Sequence, residues 1–197
     1  DLPWRFYVVD SREVNAFAVP GGYIYVNRGL IERTSQMTEL AGVLGHEIGH
    51  VVRRHSIQQM EKAQGANVGV TLACILTNIC NSQAAQAGIN IAGSAVFARF
   101  SRQDELEADQ EAVANTVRAG ISPQGIVTMF QKLINERKTR PSAVEGWFAT
   151  HPLEEDRIEA AQRTINALPS AQRNGTMNTT NYNSFVARVR SLPAPRQ

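Results

Sequence analysis

The chain opens with short runs of β-branched and aromatic residues, then changes to apolar positions three and four apart, the spacing of buried helix faces. Residues 5–9 read as a strand, and residues 16–19 and 23–26 flank the turn Pro20-Gly21-Gly22, which predicts a small sheet with a hairpin. Over residues 35–60, Met37, Leu40, Leu44, Ile48, Val51 and Met60 predict one long helix capped by Thr34 or Ser35. A second helix is expected over 94–119, stopped by Gly120. Ser122-Pro123 opens a third, whose buried stripe is Ile126, Met129, Phe130, Leu133 and Ile134. Pro152 opens a fourth, running to residue 168, with Ile158, Ala161, Ile165 and Leu168 inward. Residues 169–180 read as polar loop, and a last amphipathic turn or two carries Phe185, Val186 and Val189. The fold class expected is α+β, mainly helical, with the small N-terminal sheet or hairpin packed on the long helix. Residues 1–168 form the domain, and 169–197 are a loop and short helix packed on it.

Length and composition change this picture little. With 197 residues, 43% of them hydrophobic, the chain can bury one sizeable core without disulfides. Its 20 basic and 18 acidic residues form no long run of one sign, so no nucleic-acid partner is indicated; Arg53-Arg54 and the pair Arg188 and Arg190 read as solvated faces. Cys74 and Cys80 match no metal-knuckle or redox spacing and read as small apolar positions. Residues 63–98 contain no charge, yet polar amides interrupt every run well short of the roughly 20 apolar residues that span a bilayer. They read as a helical hairpin that packs on the domain or touches a membrane surface. The start at Asp1, with no initiator methionine, fits removal of an export signal.

The chemistry lies in His46-Glu47-Ile48-Gly49-His50. Within a helix, histidines at i and i+4 share a face and can reach one metal, and catalytic zinc takes three protein ligands plus a water. Glu47, one position along, can hold that water and take its proton. Gly49, without a side chain, permits close backbone approach between the ligands. On the second helix Glu105 and Asp109 also stand at i and i+4, so one carboxylate can meet the metal while the other fixes a ligating imidazole. Glu107 is the rival third ligand, but it points to a roughly opposite side, and only Glu105 places Asp109 one turn onward on the same face. His55 is rotated off the ligand face and reads as a surface histidine. Phe17 reads equally well as core.

Four stretches resemble the gluzincin metallopeptidases of family M48, which includes the prenyl-protein CAAX endopeptidase and HtpX-like proteases. They are Asn15-Ala16-Phe17-Ala18 with Pro20-Gly21-Gly22, the HEIGH pentapeptide, SRxxExEAD over 101–109, and His151-Pro152 with Arg157. The resemblance implies one zinc ion on His46, His50 and Glu105, Glu47 as general base, and Asp109 behind the histidines. It implies that Asn15, Ala16, Phe17 and Ala18 belong to an edge to which an extended polypeptide adds as a strand. It places His151 beside the zinc cleft, as oxyanion donor or as fourth ligand in a resting state, with Arg157 holding that loop through a carboxylate. Lacking a transmembrane span, the chain looks like the periplasmic or lipid-anchored branch, whose implied role is quality control of misassembled envelope proteins. A latent protease fold acting as chaperone or binding module is the alternative, against which Glu47 speaks, because a structural metal needs no base beside its water.

Overall fold

The computed structural model describes residues 2–64, 99–152 and 155–194, with only the backbone for 63 and 64. The expected hairpin over 63–98, its membrane contact, and Cys74 and Cys80 therefore lie outside the described residues, save for a helix end at Gln64. Three strands, β1 (Arg5–Val9), β2 (Ala16–Val19) and β3 (Tyr23–Asn27), form one sheet in the order β1-β3-β2. β2 pairs antiparallel with β3 through the expected turn, where Gly21 and Gly22 have φ of 101° and 91°, values that L side chains avoid. β1 pairs with β3 in parallel, so β1 and β2 are both edges.

Alternation gives this sheet two unlike faces. Ala16, Ala18, Ile24 and Val26 are buried toward the helices, whereas Tyr7, Tyr25 and Phe17 stack outward with centroids 5.1 and 5.0 Å apart. Phe17 is thus not a core residue.

The helices are α1 (Arg28–Arg33), α2 (Met37–Val52), α3 (His55–Gln64), α4 (Arg102–Arg118), α5 (Gln124–Thr139), α6 (Glu145–Thr150), α7 (Glu155–Asn166), α8 (Ser170–Arg173) and α9 (Thr180–Ser191). The helix expected over 35–60 is in fact two. It breaks after Val52 because Arg54 takes a left-handed φ of 61°, which turns the chain into α3. Neither Thr34 nor Ser35 caps α2; the Glu39 carboxylate reaches back to accept from the amides of Ser35 and Gln36 at 2.6 and 3.4 Å. α4 begins at Arg102 because Ser101 and Asp104 form a reciprocal capping box, each side chain accepting the other's amide at 3.2 and 3.0 Å. Gly120, at φ 68°, ends the turn after it. α5 buries its expected stripe, and α7 is described from Glu155 onward, Pro152 itself being non-helical. α1 and α6 have no counterpart in the sequence reading, and α8 is a helical turn within the loop expected over 169–180. α9 is longer than expected and shows Tyr182, Val186 and Val189 to the core, leaving Phe185 37% exposed. It is tied down by Arg190, which donates to the carbonyls of Glu32 and Thr34 at 2.8 and 3.0 Å.

α2 is central, with α4 and α5 against it, and two of its glycines explain how close they come. A Cβ on Gly49 would lie 2.9 Å from Ala108 Cα on α4, and one on Gly42 would lie 2.8 Å from Ile126 Cα on α5. Both obstacles are backbone, which cannot swing aside. Gly42→Val should therefore destabilise the protein by at least about 1–3 kcal/mol, the usual cost of overpacking. An unchanged denaturant midpoint for this variant would show that α2 and α5 are not in backbone contact.

Candidate metal centre and active site

Helix periodicity brings His46 and His50 to one buried face of α2, 0% and 2% exposed, with their Nε2 atoms 3.0 Å apart. Across the close crossing, α4 supplies Glu105, also 0% exposed, with carboxylate oxygens 3.4 Å from His50 Nε2 and 3.6 Å from His46 Nε2. The turn after α6 adds His151, whose Nδ1 lies 3.1 Å from Glu105 and 3.4 Å from His46 Nε2. The opposite edge of that ring, Nε2, lies 3.6 Å from Glu47 Oε1. That oxygen is buried and accepts no hydrogen bond among the described residues.

Two outer partners hold these donors. Asp109, one turn beyond Glu105, accepts at 2.9 Å from His46 Nδ1, which leaves the Nε2 lone pair aimed inward. Arg157 of α7 grips Asp109 with Nε and Nη2, both at 2.8 Å, while its Nη1 stands 2.5 Å from Glu105 and donates to the Pro152 carbonyl at 2.6 Å. One guanidinium therefore orients two carboxylates and the loop carrying His151. The Phe130 ring lies 5.0 Å beneath it.

The donor set fits a metal. Four ligand atoms, from His46, His50, Glu105 and His151, lie within 4.8 Å of one another, and the spacings above cluster near the roughly 3.3 Å edge of a tetrahedron around zinc. Two imidazole lone pairs facing each other repel unless a cation lies between them. Three buried carboxylates, Glu47, Glu105 and Asp109, surround the converging donors, an acidic setting that favours a cation. Burial above all lowers the His50 pKa well below its ordinary value, keeping the ring neutral as ligation requires. Burial also pushes Glu47 up, the direction that suits a base working near neutrality. Glu105 is held well below the carboxylate range: burial opposes this, but His151 and Arg157 outweigh it. His151 is raised because Glu105 and Glu47 more than offset its burial.

The structure brings together all seven residues expected at the centre, His46, Glu47, His50, Glu105, Asp109, His151 and Arg157. Ala16, Phe17 and Ala18 lie on edge strand β2 with Asn15 just before it, and Ala18 and His50 both line an apolar cavity of about 370 Å³ with Pro20, Val51 and Ile57. Glu107 stays outside the cluster, facing His55 at 3.5 Å. His55 corrects the reading of it as a surface residue: it is 1% exposed, and its Nδ1 sits 2.9 Å from His50 Nδ1, because the turn at Arg54 swings α3 back over the site. Two aromatic residues were also missed. Phe100 stacks on His50 at 3.8 Å, and Trp147 stacks on His151 at 4.6 Å. The crowding of three of the four histidines into ten residues hinted at His55; nothing local marked the aromatics.

A small sheet on a long helix that carries paired histidines, with an acidic second helix crossing it, defines a metallopeptidase domain of the zincin type. The chain belongs to peptidase family M48, whose model matches residues 1–165. It is 34% identical to the beta-barrel assembly-enhancing protease of Yersinia pestis over 173 residues, which are 84% of this chain and 35% of that protein. It is 32% identical to the metalloprotease LoiP of Escherichia coli (strain K12), covering 84% of this chain and 64% of that one. Against the metalloprotease YcaL of the same strain it is 34% identical, covering 80% and 60%. The chain thus spans barely a third of the first relative and less than two thirds of the other two.

Arg157→Met should strip the counter-charge from buried Glu105 and Asp109 and cost about 3–5 kcal/mol in chelator-treated protein. Arg157→Lys should recover only part of that, since an ammonium cannot make the forked contact. Equal urea stability of the methionine variant and the parent would show that the carboxylates are not held ionised by Arg157.

Proposed function

We propose that this chain is a zinc-dependent endopeptidase that cuts extended segments of unfolded or misassembled proteins in the bacterial cell envelope. The observation that carries the reading is the buried Glu47 Oε1, which accepts no hydrogen bond among the described residues, beside the converging donors of His46, His50 and Glu105. A structural metal site gains nothing from such a carboxylate, whereas hydrolysis needs a base there.

In this reading His46, His50 and Glu105 hold one zinc ion, which supplies Lewis acidity to a peptide carbonyl and lowers the pKa of a water. Glu47 Oε1 takes the proton of the attacking water and delivers it to the leaving amine nitrogen. Asp109 keeps the proton of His46 on Nδ1, and Arg157 fixes Asp109 and Glu105. Edge strand β2 offers its open side to a substrate backbone, and the cavity between Ala18 and His50 accepts an apolar substrate side chain. No helix among the described residues is long and apolar enough to cross a membrane. The name of the Yersinia pestis relative supports substrates met during β-barrel assembly.

His151 Nδ1 points at the donors rather than at the strand, which supports a fourth ligand in a resting state over an oxyanion donor. Four protein ligands close a zinc site; three leave room for water.

Glu47→Gln should retain one zinc per chain and lose proteolysis of an unfolded protein such as casein. Retained cleavage overturns the base assignment, whereas a zinc-loaded parent chain that cleaves no unfolded protein would overturn the enzyme reading and leave the latent binding module. Glu105→Ala should lose both zinc and activity, read by metal analysis and the same assay. His151→Ala should raise turnover on a short peptide; a loss of about a hundredfold with unchanged zinc content would instead make His151 the oxyanion donor.

A further inference from the structure

Every buried imidazole needs something to settle which nitrogen carries its proton, and for His46 that is Asp109. For His50 no carboxylate among the described residues reaches Nδ1. Its partner is another imidazole, His55 Nδ1, at 2.9 Å, and the two rings meet edge-on at 74° with centroids 5.0 Å apart. One of the two nitrogens must donate. If His50 presents the Nε2 lone pair to the cluster, its proton is on Nδ1 and His55 Nδ1 must accept. The His55 proton then sits on Nε2, and that atom faces acid: Glu107 Oε2 at 3.5 Å and Asp104 Oδ1 at 3.9 Å, both on α4. Glu107 is itself aimed by Gln103, which donates to its other oxygen at 2.7 Å. Phe100, stacked on His50 and 6.3 Å from His55, covers the pair.

We infer that His55 is a positioning residue for the metal ligand His50, passing the orienting influence of the Glu107 and Asp104 carboxylates through its ring to His50 Nδ1. This extends to the second histidine what Asp109 does directly for the first. It also explains why Glu107, on the wrong side of α4 to reach the metal, is turned toward the site at all. The chain's break at Arg54 is what makes it possible, since a continuous helix would carry His55 away from His50. The inference rests on the reading of the cluster as a zinc site with Nε2 of His50 as donor.

The test uses the full chain with zinc and two readouts. The first is the tautomeric state of both rings in the zinc-loaded protein, from two-bond proton–nitrogen correlations of ¹⁵N-histidine. Protonated Nδ1 on His50 with unprotonated Nδ1 on His55 is expected; a proton on His55 Nδ1 overturns the inference without any mutation. The second is zinc affinity, by competition with a chromophoric chelator. His55→Phe keeps the shape but cannot accept, and should weaken zinc by roughly tenfold to a hundredfold, the scale usual for outer partners of a ligand. His55→Asn, whose Oδ1 can accept from His50 Nδ1, should bind zinc more tightly than His55→Phe. Affinity in His55→Phe equal to the parent's would overturn the role of His55. A parent that binds no zinc would instead remove the metal reading on which it rests.

Discussion

Keeping ionised carboxylates away from water is the constraint around which this domain is organised. Each buried ion costs several kcal/mol unless it is answered by charge and hydrogen bonds together. Arg157 answers two at once, its fork on Asp109 and its remaining nitrogen on Glu105. Without that guanidinium Glu105 would lose one of the charges that hold it well below the carboxylate range, and Asp109 would lose the fork that aims it at His46. The position of α7, far along the chain, is in this sense a condition for the chemistry on α2 and α4.

Around the charges lies an aromatic wall. Phe100 covers His50, Trp147 covers His151, and Phe130 lies under Arg157. These rings exclude water from three sides and lower the local dielectric, which strengthens each contact inside. They also connect site and core, since Phe130 and Trp147 are fully buried members of the main hydrophobic cluster. Packing and electrostatics are thus not separable in this domain: the same rings fill the interior and insulate the ligands.

What could be read from sequence was what depends on periodicity within one helix. His46 and His50 at i and i+4, and Glu105 and Asp109 likewise, have their relative directions set by 3.6 residues per turn, so each pair was legible before any fold was known. The stripe of α5 was legible for the same reason. What escaped depends on contacts between segments. The parallel pairing of β1 with β3 requires a crossover that no turn motif announces. The break at Arg54 lacks the glycine that ordinarily marks a left-handed residue, so the pattern ran on through it and His55 was sent to the surface. α1, with two buried aliphatic residues in six positions, is too short to show a period. The part of the site nearest in sequence to the ligands was therefore the part misread.

The contact of Gly49 with the backbone of Ala108 bears on which ions such a centre can accept. Most ligand cages breathe, because the side chains separating their supports can change rotamer. Here the supports of His50 and Glu105 touch main chain to main chain, and repulsion between backbone atoms rises steeply enough to act as a stop. That stop limits how closely the two supports can approach. The lower limit of the bore is thus gauged by the helix crossing rather than by the ligands, while the imidazole nitrogens disfavour a cation that prefers many oxygens.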